Sequence, residues 1–346
     1  MKTAAIALAL TGLLGNALAD ELPRTSLKVV GSVSTLSPYK DFEHPFWSKT
    51  IPTLSGGRVT AEIRGFNEMG MKGPELMRLM SSGVIEFGTA TLVYFAGDNP
   101  INEAIDLAGL APDVKTARQV TDAFYPVYER LYGERSRVKL LGISTYPAQV
   151  FFCNASVRAL SDLKGKKVRT SSRTQAEFVE ALGGSSVTLA FAEVVPALQN
   201  KVVDCAITGS MSGYSAKWYE VSTHLLALPV NWNQQVHAVS LKAWERIDPK
   251  VRTFLQTQIT TMVNDIWAAA EQQTRQGIEC NTGSSACTSE IKGRMVLVQP
   301  SEADRALLRQ VMLDSVLPKW AARCSADCVD SFNTRLGPIV GLSAKK

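Results

Sequence analysis

Histidine is scarce in this chain: His44, His224 and His237 are the only three in 346 residues, and they lie far apart. Structural zinc is therefore not expected, because its sites need Cys/His clusters at short ligand spacing. The Gly-x-Ser-x-Gly hydrolase elbow, the His-Glu-x-x-His metalloprotease pair and a Gly-x-Gly-x-x-Gly loop after a strand are all missing. The Gly-Lys within LKGKKVR, residues 163–169, lacks the upstream glycine and the following Ser/Thr of a phosphate loop. No enzymatic activity, cofactor or metal is expected on these grounds. Charge of one sign is lacking as well. Lys+Arg number 37 against 32 Asp+Glu, and without Lys2 of the leader the excess is 36 − 32 = +4, too weak and too dispersed for a nucleic-acid binder. Internal repeats and low-complexity segments are absent, and past the leader no apolar run is long enough to span a bilayer.

The leader itself is a positive signal. MKTAAIALALTGLLGNALAD carries Lys2, an apolar run over residues 4–14 and Ala17-Leu18-Ala19, a small-x-small cleavage site, so residues 1–19 read as a secretory signal peptide and the mature protein is expected in the periplasm. Six cysteines in an exported chain favour disulfides. Cys280 and Cys287 bracket the turn-rich NTGSSA and Cys324 and Cys328 bracket SAD, so each pair is expected to close a small ring; Cys153 and Cys205 are expected either bridged or buried as small apolar residues.

Strand and helix patterns alternate along the chain. Residues 26–32 and 58–64 read as strands flanking a helical segment, Pro74 and Gly83 bracket a helix, and residues 84–92 form the next strand. A long helix over 113–134 leads into a strand at 138–146. The pattern then restarts, with strands at 150–154, 166–170, 186–190 and 202–209 and helices at 174–184 and 192–201. Such alternation predicts an α/β fold in two lobes: lobe 1 over 20–146, completed by part of 230–275, and lobe 2 over 147–229, completed from the C-terminal segment. Asp248-Pro249 supplies a cap and a first-turn proline for a helix over 248–276 that has no internal Gly or Pro from 250 to 275 and is long enough to cross both lobes. Residues 340–346 read as a flexible tail.

LKGKKVRTSSRTQAEFVEALGG, residues 163–184, concentrates cations ahead of a helix start. Lys164, Lys166 and Lys167 read as a solvated turn. Arg169 differs, because it stands at the carboxyl end of a strand just before Thr170, Ser171 and Ser172, any of which can cap the following helix. A helix start offers unpaired N–H groups and partial positive charge, and an adjacent guanidinium adds a planar two-pronged carboxylate clamp. A surface salt bridge is the alternative reading of Arg169.

The run from 162 to 209, DLKGKKVRTSSRTQAEFVEALGGSSVTLAFAEVVPALQNKVVDCAITG, closely resembles the signature region of the substrate-binding proteins of TRAP transporters, the DctP type. LSGGRVTAEI, GPELMRLMSSGVIEFGTA and the long helix after Asp248-Pro249 are similar to further family blocks, so the resemblance covers nearly all of the chain past the leader. It implies a two-lobed periplasmic binding protein, monomeric, that closes on a small organic acid and delivers it to the small and large membrane permease subunits. The family's arginine that holds the ligand carboxylate matches Arg169. A second arginine found in several members is Gln149 here, and the glutamate and asparagine of the sialic-acid binders are Thr91 and Thr208; Cys205 replaces a family glycine. These departures point away from a sugar acid or a second carboxylate. With Phe42, Phe191 and Trp232 as expected apolar walls and Asn233 and Gln234 as hydrogen-bonding groups, an aromatic or apolar monocarboxylate, with a 2-oxo or 2-hydroxy acid as one form, is the expected ligand. A C4-dicarboxylate receptor using Arg173 as second cation, a sugar-acid receptor, a receptor without a permease and a periplasmic hydrolase are the alternatives.

Overall fold

A computed structural model describes residues 22–346, so the expected signal peptide at 1–19 lies outside the described residues. Strand β1 (Thr25–Gly31) buries Leu27 and Val29 at alternating positions, pairs in parallel with β2 (Val59–Gly65), and on its other side with β3 (Phe87–Thr91). Between β2 and β3 lies the short helix α1 (Leu76–Ser81). Asp113 caps α2 (Val114–Leu131), its carboxylate accepting from the Thr116 amide at 2.7 Å, and α2 leads into β4 (Val138–Ser144).

The chain then crosses to a second sheet. β5 (Gln149–Cys153) is followed by β6 (Lys167–Thr170), helix α3 (Arg173–Ala181), β7 (Ser185–Thr188), helix α4 (Val194–Gln199), β8 (Cys205–Gly209), helix α5 (Ser210–Ser215) and the short β9 (His224–Leu226). It returns as β10 (Gln235–Ser240), which lies antiparallel between β3 and β4. The first sheet has the order β2-β1-β3-β10-β4, and the second, closed by β11 (Val296–Val298), has the order β11-β9-β5-β8-β6-β7. The two-lobed α/β architecture follows from this division of strands.

Helix α6 (Pro249–Thr282) begins where Asp248 accepts from the Lys250 amide at 2.8 Å and ends at Gly283 in the left-handed region, φ 77°. Its 34 residues span about 51 Å at 1.5 Å each, several residues further than the expected end at 276. The first half lies on lobe 1, where Gln256 and Trp267 donate to the carbonyls of Leu141 and Ile143 on β4. The second half lies on lobe 2, where Asn281 donates to the Ser210 carbonyl and Ser210 to that of Thr274. Helices α7 (Glu302–Val311), α8 (Leu317–Arg323) and α9 (Ala326–Arg335) then strap the two lobes together. Asp304 at the start of α7 accepts from the Leu160 amide of lobe 2, whereas Trp320 of α8 donates to the Pro100 carbonyl of lobe 1. The tail expected to be flexible is held at Ala344, whose amide and carbonyl both bond the Asn333 side chain.

All six cysteines are bridged: Cys280–Cys287 and Cys324–Cys328 as local rings, and Cys153–Cys205 across β5 and β8, where the two residues face each other in register. Among the described residues no helix is long and apolar enough to cross a membrane, and no group of three or more His, Cys, Asp or Glu is arranged to hold a metal.

Candidate functional site

A cleft of about 1200 Å³ opens between the lobes, lined from lobe 1 by Phe66, Met71, Val93 and Tyr94 and from lobe 2 by Arg169, Phe191 and Trp218. Arg169 enters it from β6, between β7 and β8. Only 3% of the residue is exposed. Its Nε and Nη2 donate to the Leu189 carbonyl just past β7, at 3.0 and 2.9 Å, and Nη1 donates to the Ile207 carbonyl on β8 at 2.8 Å. A guanidinium has five N–H donors, so these three bonds leave one donor on each terminal nitrogen. Among the described residues no carboxylate forms an ion pair with it; the Glu193 carboxylate is bonded to the Ala190 amide instead. Burial pulls the Arg169 pKa down to about 10, against the opposing pull of Tyr94 and Glu193. The site is thus a buried cation solvated by carbonyl dipoles, in the field of Glu193 but in direct ion pair with no carboxylate among the described residues.

The start of α3 stands beside it. Ser172 caps the helix, accepting from the Gln175 amide at 3.3 Å, and Ser171, Ser172 and Arg173 line the cleft. Gln175 braces this turn: its Oε1 accepts from the amide and hydroxyl of Ser171, and its Nε2 donates to Asn231 Oδ1 at 2.9 Å. Asn231 in turn donates to Asp106, which also accepts the amides of Trp232 and Asn233. Burial raises the Asp106 pKa to about 6, and these three bonds hold it down. The chain crossing from lobe 2 back to lobe 1 is therefore tied on one side to lobe 1 and on the other to the binding turn.

Tyr94 faces Arg169 from lobe 1. Its ring packs against Gly73, where a Cβ would sit 2.4 Å from two ring carbons, and meets Phe66 at a steep angle with centroids 6.4 Å apart. Burial raises the Tyr94 pKa, with Arg169 opposing, which places the two polar heads in each other's field.

The residues singled out from sequence are distributed unevenly. Arg169 and Phe191 line the cleft, and Phe191 stacks on Trp218 with centroids 5.3 Å apart. Trp232, expected as a wall, lies instead in the lobe 1 core with Trp47 and Phe87, because its indole donates to the Ala111 carbonyl at 3.1 Å and turns the ring inward. Phe42 also packs against that core rather than lining the cleft. Gln149 is buried with its amide on the Pro147 carbonyl, and Thr208 and Thr91 are buried at the ends of β8 and β3; none of the three lines the cleft. Asn233 adopts the left-handed region, φ 56°, and carries a buried Oδ1 without a partner, as does the amide of fully buried Gln234. Arg173 lines the cleft but shares the field of Glu103 and Glu177. Sequence reasoning missed Glu103, Asp106 and Arg323 altogether, and no local pattern marks them.

Comparison with known proteins agrees with this architecture. The profile of the bacterial extracellular solute-binding proteins of family 7, DctP, matches residues 31–317. A TRAP solute-binding protein from Desulfovibrio salexigens, solved with orotic acid, superposes with a TM-score of 0.79 at 20% identity over 91% of this chain and 99% of that one. The Bordetella pertussis receptor DctP7, which binds pyroglutamic acid, gives 0.78 at 17% identity over 89% and 99%. The Salmonella typhimurium protein YiiZ is 24% identical over 54% of this chain, and the match spans 59% of YiiZ. The profile match over most of the chain settles its membership: this protein belongs to the family 7 bacterial extracellular solute-binding proteins, DctP.

Proposed function

We propose that this protein is a periplasmic receptor, exported by its leader, that captures a small monocarboxylate with an aromatic or apolar body and hands it to a TRAP permease. The observation that carries the reading is Arg169: a buried guanidinium oriented by the Leu189 and Ile207 carbonyls, with two N–H donors left over and no carboxylate partner among the described residues. A ligand carboxylate supplies a directly paired counter-charge through charge-assisted bonds, which a lysine ammonium reproduces poorly because it lacks the planar fork. Phe66, Tyr94 and Phe191 then offer apolar surface to the ligand body, with fully buried Trp218 stacked behind Phe191. Orotate and pyroglutamate, the ligands of two related receptors, are likewise small cyclic monocarboxylates, although their rings carry polar amide groups. Binding closes the cleft by rotation about the crossovers, and the closed form is the one the permease recognises.

A dicarboxylate, such as the succinate of a related Shewanella oneidensis receptor, is the second reading. It needs a second cation: of the other cationic residues lining the cleft, Arg173 shares the field of Glu103 and Glu177, Lys217 pairs with Glu220, and Lys72 stands on the lobe 1 side.

The test is a thermal-shift panel of orotate, pyroglutamate, phenylpyruvate, succinate and galacturonate. Cyclic or aryl monocarboxylates should raise Tm, since ligand at a hundredfold its Kd adds about 2.7 kcal/mol. Arg169→Ala should fold and lose that rise, and Arg169→Lys should recover only part of it. An undiminished rise in Arg169→Ala overturns the clamp, and a response to succinate alone overturns the monocarboxylate reading.

A further inference from the structure

The polar contacts around α3 continue beyond the cleft into a charge cluster that joins three separate parts of the chain. Arg323, the last residue of α8, donates through Nη2 to Glu103 Oε2 at 2.9 Å and through Nη1 to Glu177 Oε1. Glu103 ends the short helix Pro100–Glu103 of lobe 1, which is held to α2 by bonds from Tyr128 to the Ile101 carbonyl and from Tyr132 to Asn102. Glu177 lies in the middle of α3, on lobe 2. The side chains of Glu103, Glu177 and Arg323 are 1%, 12% and 19% exposed, so solvent screens the bridge little. Arg173 is the fourth charge: it lies one turn before Glu177, lines the cleft, and acts on both carboxylates.

We propose that Arg323 is a positioning residue for ligand capture, a clasp from the C-terminal strap that holds helix α3 and the binding turn 171–173 in place against lobe 1. Helix α3 is tied at its start through Gln175 and Asn231 to Asp106, and at its middle through Glu177 and Arg323 to Glu103. Two ties along one helix remove its freedom both to slide and to pivot. Rotation of the lobes must therefore stretch or exchange the Arg323 bridge. Arg173 stands on the cleft side of the same carboxylates and is the cation placed to take over when Arg323 lets go. Two cations sharing two carboxylates give the discrete alternative pairings on which a two-state element depends. Glu103 Oε1 and Glu177 Oε2, buried without partners, are the acceptors such an exchange requires.

The clasp goes beyond the carboxylate reading and rests on it only for the effect on affinity; its test needs no ligand. Spin labels at Glu62→Cys on lobe 1 and Val202→Cys on lobe 2, both exposed positions, report the inter-lobe distance by pulsed dipolar spectroscopy on the full mature chain. Glu177→Gln cuts only the lobe 2 arm and leaves the Arg323–Glu103 pair intact. The triple variant Glu103→Gln, Arg323→Met, Glu177→Gln removes every charge of the bridge, which buried ion pairs tolerate better than the loss of one partner. Both should melt cooperatively and both should give a broadened, shifted distance distribution, while Arg323→Lys should restore the wild-type mean more nearly than its width. A wild-type distribution in Glu177→Gln overturns the clasp whether or not the triple variant folds. An altered distribution together with an unaffected thermal-shift panel would leave the clasp standing as a conformational element and remove its role in capture.

Discussion

Helix α6 comes into close backbone approach with lobe 2 at Gly277, and replacing it tests how the long helix holds the second lobe. A Cβ there would lie 2.3 Å from Met211 N, 2.5 Å from Ser210 C and 2.7 Å from Met211 Cα, where ordinary contact begins at 3.4 Å. All three atoms are backbone at the start of α5, so no rotamer change relieves the clash, and the helices must part by about an ångström. Parting them breaks the bond from Asn281 to the Ser210 carbonyl and that from Ser210 to Thr274, both 2.9 Å, and Asn281 is wholly buried. Overpacking costs ~1–3 kcal/mol and the loss of the two buried inter-helix hydrogen bonds another ~1–3 kcal/mol, the Asn281 amide keeping its bond to the Gly277 carbonyl, while alanine returns ~1 kcal/mol of helix propensity, so Gly277→Ala should destabilise by about 2–4 kcal/mol. Urea unfolding followed by circular dichroism should show the midpoint falling by about 1 M at the slope expected for a chain of this size. Gly133→Ala is the control, since nothing lies within 4 Å of its Cβ and its backbone is not left-handed; it should be neutral or slightly stabilising. Equal midpoints for the two variants would refute the argument that α6 and α5 are in backbone contact.

Two further outcomes follow from the same geometry. His237 is buried between the hydroxyls of Thr89 and Ser144 with its pKa lowered to about 4 by burial, so the neutral ring's contribution is fully present above pH 6.5 and is lost as pH falls through 4. That loss amounts to ~3 kcal/mol, and Tm measured from pH 7 to 4 should fall less steeply in His237→Gln than in wild type; parallel profiles would refute it. Phe191→Ala, which removes the ring stacked on Trp218, should weaken binding of an aryl acid about tenfold by calorimetry, whereas Phe42→Ala should leave binding intact and lower stability by ~2–4 kcal/mol; the reverse pattern would show that the two aromatics were assigned to the wrong roles.

What was legible from sequence shares one property: it is local along the chain. Asp248-Pro249 announces α6 because a cap and a first-turn proline act within four residues, and the run Thr170-Ser171-Ser172 announces a capped start for α3, with Ser172 the residue that takes the cap. Arg169 is recognisable because strand end, cap and helix start are adjacent. Trp232 is not, since a carbonyl 121 residues away decides whether its indole faces core or cleft. Strands β9 and β11 have three residues each and exist through their pairing with each other and, for β9, with β5, so period-two alternation had nothing to register. The bridge from Arg323 to Glu103 spans 220 positions, and Arg323 by itself resembles any other helix-terminal arginine. The Cys153–Cys205 bond also depends on register, because it forms only once β5 and β8 align the two residues opposite each other.

The manner in which Arg169 is held bears on the proposed clamp. An arginine already paired with an internal carboxylate would have to give up that pair before accepting a ligand, and the abandoned carboxylate would then repel the newcomer. Here the guanidinium is oriented by two main-chain carbonyls, one from the segment after β7 and one from β8, which remain bonded when a carboxylate arrives on the unused donors. Orientation is thus settled before binding, and the rotamer entropy of a long side chain is already lost in the free protein. The arrangement also sets a limit. Arg173 shares the field of Glu103 and Glu177, and its share grows if Arg323 releases them, so opening the proposed clasp ties Arg173 more closely to those carboxylates and makes it less available to a second anionic group. Clamp and clasp together make ligand charge and lobe position parts of one electrostatic balance, and the distance measurements and the ligand panel probe its two sides.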